Sequence, residues 1–209
     1  MFPFKFLNGL YSPTAFAGTD ASTEEWPVFD SRITLPDSAP SFTMGYHPDL
    51  IPMGGARPLK NFPGEMIQTF LLADGMIQRS AKMEISRSAI TKSELDLVKN
   101  LGYKNYTMLK YTTTSTPYPY RLDDMENIST DSCQGADICV TGKKGMIRKS
   151  GITLFIAMRN IIVENMHFIF SCMCIYPDRE AEDGGYTSLD NPLTRKYGVP
   201  AFNSIRFRR

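Results

Sequence analysis

The sequence predicts an α+β protein: mainly antiparallel sheet, one or two short helices, and a long proline-rich N-terminal arm. Three observations carry that prediction. Nine of the fourteen prolines fall within residues 1–63. From residue 65 onward, runs rich in Ile, Val, Phe, Tyr and Thr recur between turn residues. One short stretch, 91–102, has helical spacing with a start and a stop signal.

In chain order, residues 1–63 read as the extended arm. Each proline fixes φ and removes a backbone donor, which disfavours helix and central strand. Trp26 and the Phe and Met side chains of the arm are available to dock on the core or on a partner. The folded β-rich core domain is expected over 64–176. There "EMIQTFLLADGMIQRSAKMEIS" reads as two strands about Asp74-Gly75. Met83 and Ile85 alternate with Lys82 and Glu84, as in a half-buried strand. In "TKSELDLVKNLG", Thr91 and Glu94 have capping-box spacing, Leu95, Val98 and Leu101 repeat at helical intervals, and Gly102 suits a left-handed stop. A helix over 92–101, packed on the sheet, follows.

"YKNYTMLKYTTTST" is strand-like until Pro117 and Pro119, and 121–136 is a polar, acidic connector. "DICVTGKKGMIRKS" reads as a second hairpin with Lys143 and Lys144 at a glycine-flanked tip. "GITLFIAM" and "HFIFSCMCIY" read as buried strands. A helix through 152–166 competes, because short apolar runs do not discriminate, and the Ile, Val and Phe enrichment favours strand. From Pro177 the pattern dissolves into a C-terminal segment, 177–209, acidic at "DREAEDGG" and basic from Arg195 on.

The 209 residues hold 23 Lys and Arg against 22 Asp and Glu, a net charge of +1. That balance argues against a protein that wraps nucleic acid in bulk, so electrostatic binding must come from local patches. The most apolar stretch, 152–176, carries Arg159, Glu164 and His167 near its middle. A charge at a bilayer centre costs about 2.5–3.5 kcal/mol on insertion scales. No spanning helix is expected, and with no leader in view the chain reads as intracellular with reduced thiols.

Enzyme chemistry finds no motif. The two histidines, His47 and His167, lie in no recognisable pattern, and there is no nucleophile elbow, phosphate loop or dinucleotide fingerprint. No catalytic residue and no cofactor are assigned. Cys133-x5-Cys139 and Cys172-x-Cys174 lack zinc spacing and read as core thiols rather than metal ligands.

Two basic clusters stand out. Lys143, Lys144, Arg148 and Lys149 would form an anion surface for phosphate or anionic lipid, lipid adding about 1 kcal/mol per cation. A solvated loop serving solubility is the equal alternative. At the C-terminus, Arg206 and Arg208 alternate with Ile205 and Phe207 and Arg209 follows, the pattern of an edge strand facing an anionic partner. At the other end Phe2, Phe4, Phe6 and Leu7 surround Lys5, suited to insertion into a membrane interface or partner groove, or to stapling on the chain's own core. Basic patch plus apolar insertion would supply the two signals that stable membrane attachment takes.

The order of arm, hairpin, capped helix, strands and basic patches resembles matrix proteins of negative-strand RNA viruses, the rhabdovirus type. The local match is "AKMEISRSAITKSELDLVKNLGY", 81–103, which looks like the strand, polar turn and helix near the start of that family's folded domain. Pro13-Thr14-Ala15-Phe16 and Asp37-Ser38-Ala39-Pro40 approach the family's late-domain motifs without completing them. The arm also holds only Lys5, Arg32, Arg57 and Lys60, where the family is lysine-rich. The resemblance implies a non-enzymatic virion protein in the host cytoplasm and at the inner membrane face. Such a protein self-associates, binds anionic lipid and contacts a ribonucleoprotein. The alternative is a β-rich capsid subunit, or a viral movement or nucleic-acid-binding protein. Tyr103, Tyr106 and Tyr111 could then stack bases, their ordinary role being cross-strand packing.

Overall fold

A computed structural model of the chain describes residues 26–35, 40–58, 64–72, 79–102, 124–127, 138–149 and 151–208. The protein is mostly antiparallel sheet with few short helices. The strands are β1 (Val28–Asp30), β2 (Ser41–Gly45), β3 (Leu50–Met53), β4 (Arg57–Pro58), β5 (Glu65–Leu72), β6 (Ser80–Ala89), β7 (Asp124–Asn127), β8 (Ile138–Lys149), β9 (Ile152–Val163), β10 (Met166–Pro177) and β11 (Arg206–Arg208). The helices are α1 (Lys92–Leu101), α2 (Asp178–Asp183) and α3 (Val199–Asn203), the last entered through a π-helical turn at Thr194–Gly198. The large sheet has the order β3-β5-β6-β10-β9-β8-β7, with β4 also on β5, and the small sheet is β1-β2-β11.

The large sheet is built on three adjacent twelve-residue strands, β8, β9 and β10. β10 alternates Phe168, Phe170, Cys172, Cys174 and Tyr176 on one face, all buried. The register sets Phe170 between Arg159 of β9 and Ile85 of β6, and Cys172 between Ala157 and Met83. The small sheet covers this face. Phe42 of β2 lies 5.0 Å from Phe170 and 5.6 Å from Phe168, and Phe207 of β11 lies 5.1 Å from Phe168. The Phe42 contacts are edge-to-face, the arrangement that ring quadrupoles favour.

The fold therefore begins before residue 64. Residues 28–58 supply four strands, where the prolines had suggested an arm continuing to 63. The prolines fall where a strand needs no donor. Pro27 and Pro40 precede β1 and β2, Pro48 sits in a turn, and Pro52 and Pro58 occupy strands at the sheet margin. Between them Phe29, Phe42, Met44 and Leu50 are buried. The C-terminal segment is likewise part of the core, through Ala181, Tyr197, Phe202, Ile205 and Phe207. Its pieces are too short to show a period, and a π turn breaks the 3.6-residue spacing that would reveal a helix.

α1 forms as its caps dictate. The Glu94 N–H donates to Thr91 Oγ1 at 3.2 Å, and the Thr91 N–H donates to Glu94 Oε2 at 2.9 Å. Gly102, at φ 78°, ends it. Val98 is buried, whereas Leu97 and Leu101 are exposed, a narrower inner face than the spacing suggests.

"DICVTGKKGMIRKS" is not a hairpin about Lys143 and Lys144. It lies in β8, a single strand that reverses into β9 at Gly151, φ 82°. The register shifts between Lys144 and Ile147, so the glycine between them serves a bulge, not a turn. Within the acidic connector, Asp124–Asn127 pairs with β8 as β7. The Asp74-Gly75 turn and Tyr103, Tyr106 and Tyr111 lie outside the described residues; the strands on either side of that turn, β5 and β6, pair antiparallel.

Phe42 touches rings on both sheets, so Phe42→Ala should lower the unfolding free energy by about 3–5 kcal/mol in urea denaturation followed by circular dichroism.

Candidate functional site

β11 is the edge of the small sheet, and its middle residue decides its orientation. Phe207 is buried against Phe42 and Phe168, so Arg206 and Arg208 turn outward and are exposed. The Arg206 guanidinium donates to the carbonyls of Asn203 at 2.6 Å and Ile205 at 2.8 Å, which fixes its place beside α3. Arg208 reaches across β2 to Asp30 at 3.6 Å. Asp30 is held more closely by Arg32, through Nε and Nη2 at 3.0 and 2.6 Å, and these bonds lower its carboxyl to about 2. Two arginines, Arg32 and Arg208, thus gather around one carboxylate on the outer surface of this sheet.

The β8 cations are arranged differently. Lys143 pairs with Ala157 and Asp124, Lys144 with Ile156, Arg148 with Thr153 and Lys149 with Ile152. At about 3.3 Å per residue they extend along roughly 20 Å of strand rather than meeting at a tip. The Asp178 N–H donates to the Gly151 carbonyl at 3.0 Å, and Thr153 Oγ1 donates to Asp178 Oδ1 at 2.5 Å. The acidic start of α2 therefore sits at the turn that follows Arg148 and Lys149. The β8 and β11 cations belong to different sheets. Arg209, Phe2, Phe4, Phe6 and Leu7 lie outside the described residues.

The cysteines and His167 do not converge. Cys172 and Cys174 share the core face with sulfurs 3.8 Å apart, and Thr194 Oγ1 is 3.3 Å from Cys174. The contact with Cys174, then burial, raises the Cys172 thiol. His167 is on the opposite face, where Nε2 lies 3.3 Å from Asn160 Oδ1. Among the described residues no group of three metal-ligating side chains forms. The neighbouring polar side chains are structural. Tyr176 donates to Asn191 Oδ1 at 3.0 Å and accepts from the Leu193 N–H at 2.8 Å, which ties the C-terminal segment to β10. Arg159, buried opposite Phe170, donates to the Phe202 carbonyl at 2.8 Å at the end of α3. Burial lowers its guanidinium to about 10, so it stays charged at neutral pH.

One cluster had no sequence signal. His47 and Asp49, on the turn between β2 and β3, meet Lys196 and Tyr197 of the π turn and the ring of Trp26. The His47 ring is edge-on to Trp26 at 5.3 Å and to Tyr197 at 5.0 Å. The Asp49 N–H donates to His47 Nδ1 at 3.1 Å, while Asp49 Oδ2 accepts from Lys196 Nζ at 2.8 Å and Tyr197 Oη at 3.1 Å. Burial lowers the His47 pKa from its ordinary 6.5. The bond from Lys196 lowers the Asp49 carboxyl, and the same bond raises Lys196. His-Pro-Asp is a turn signal and nothing more; the partners come from distant parts of the chain.

The π turn that carries Lys196 and Tyr197 packs closely on β10 at Gly198. A Cβ there would meet Cys172 Cβ and Sγ at 2.9 Å. Gly198→Ala should cost about 1–3 kcal/mol as an overpacked contact. Adding Cys172→Ala should recover part of that loss, which paired urea titrations would read.

No family model and no curated protein matches the chain. Among solved structures it is similar to LpqN, described as involved in cell envelope biogenesis of Mycobacterium tuberculosis. That likeness has 9% sequence identity and a TM-score of 0.45, over 88% of this chain and 92% of that one.

Proposed function

We propose that the protein is a non-enzymatic structural protein of viral matrix type, which self-associates and links an anionic membrane surface to a ribonucleoprotein. The observation that carries the reading is the pair Arg206 and Arg208. They face outward on an edge strand that Phe207 anchors in the core. A rigid strand presents its cations at fixed spacing, with little ordering cost when an anionic surface is met. The backbone edge beside them is open to further strand pairing among the described residues, a route to self-association. β6, the Thr91 cap and α1 form the strand, polar turn and helix on which the resemblance rests. Among the described residues no helix is long and apolar enough to cross a membrane. Attachment in this reading is made by surface charge, with the aromatic N-terminus as a second signal.

The test is sedimentation of the full chain with neutral and with phosphatidylserine-containing vesicles, at low and high salt. Binding is expected with the acidic vesicles alone and should be lost as salt screens the surface. Arg206→Gln with Arg208→Gln should weaken it, by about fivefold per neutralised charge. The four β8 cations changed to Gln test the second cluster separately. Binding indifferent to all these changes would remove the electrostatic role. Failure to bind either vesicle, with salt-sensitive retention of single-stranded RNA, would move the reading to the nucleic-acid-binding alternative.

A further inference from the structure

Titratable side chains from the β2–β3 turn and the π turn meet the start of the fold at His47. Its ring fills the space between Trp26, which leads into β1, and Tyr197 of the π turn. The groups that face it are few. Asp49 lies on its own turn, Lys196 and Tyr197 on the π turn, and Trp26 adds an uncharged ring. His47 Nδ1 accepts the Asp49 N–H, so the proton of the neutral ring is on Nε2. The turn needs that lone pair.

We infer that His47 is a proton-operated latch, which in its neutral form clamps Trp26, and the chain leading into β1, against the C-terminal π turn and releases them when it is protonated. A proton added at Nδ1 points at the Asp49 N–H, setting donor against donor. The compensating partner is Asp49 Oδ2, which stands 3.4 Å from Nδ1 and would have to close on the ring. That carboxylate oxygen already holds Lys196 and Tyr197. Closing on Nδ1 draws that oxygen away from Lys196 and Tyr197, which loosens the π turn against the ring and the ring's contact with Trp26. The sign follows from the direction of the shift. The His47 pKa is below its ordinary 6.5 in the fold, chiefly through burial. Its contribution is therefore complete above pH 6.5 and is lost as pH falls from there through the folded value. Asp49, lowered from 3.8, remains ionised throughout that window.

The sequence holds a single tryptophan, so Trp26 reports on the latch directly. The experiment follows emission wavelength and acrylamide quenching of the full-length protein from pH 8 to pH 5, with far-UV circular dichroism alongside. The wild type should show a reversible red shift and greater quenching, with its midpoint below pH 6.5 and the dichroism unchanged. His47→Gln, whose amide oxygen can still accept the Asp49 N–H, should abolish the transition. Lys196→Gln leaves His47 in place and removes a charge that opposes its protonation, so the midpoint should rise. A transition that survives His47→Gln, a midpoint that Lys196→Gln does not raise, or loss of dichroism in step with the red shift would each overturn the latch.

Discussion

A strand that places Phe168, Phe170, Cys172, Cys174 and Tyr176 on one face creates a demand that the remaining chain has to meet. Covering one large apolar side chain contributes about 1.5–3 kcal/mol, so leaving this face wet would consume the margin by which a domain is stable. The demand is met from two directions. The small sheet lays Phe42 and Phe207 over the phenylalanines, and the C-terminal segment lays Thr194 and Gly198 over the cysteines. The edge orientation of Arg206 and Arg208 is a by-product of the same demand, because Phe207 cannot point inward without turning its neighbours out.

Placing Arg159 in that face is the least expected feature, since a buried charge is costly unless it is bonded. Its position explains it. The guanidinium meets the carbonyl of Phe202 and Oδ1 of Asn203 where α3 ends and its last carbonyls lack helical partners. A cation is well placed at that negative end of the helix dipole. The side chain ties β9 to the C-terminal segment at a second point, apart from the Tyr176 and Asn191 bonds.

The long elements were legible because each carries its own signal. β9 and β10 are enriched in Ile and Phe over twelve residues each, and α1 has reciprocal caps and a terminal glycine. The small sheet was not, because strands of three and five residues are too short for alternation to show, and prolines at their margins resemble those of an arm. "GKKG" misled for a related reason: glycines flanking cations suit a turn and a bulge alike. Of the candidate site, Arg206 and Arg208 were readable from local alternation with Phe207. The His47 cluster was not, since Trp26, His47 and Lys196 are remote in sequence and only the packing of the π turn brings them together.

Strand β2 takes β1 as one neighbour from nearby and β11 as the other from the far end of the described chain. This separates the protein's assembly in time. The hairpins β5–β6, β8–β9 and β9–β10 close over short loops and can form as they are synthesised. The β2–β11 pairing carries the loop-closure cost of almost the whole described fold and must wait until β11 is made. In the interval the aromatic face of β10 lacks the part of its cover that Phe207 supplies. A chain that pauses before β11 leaves part of that face open to its neighbours, so yield from the ribosome should depend more on residues 206–208 than their small share of the core suggests.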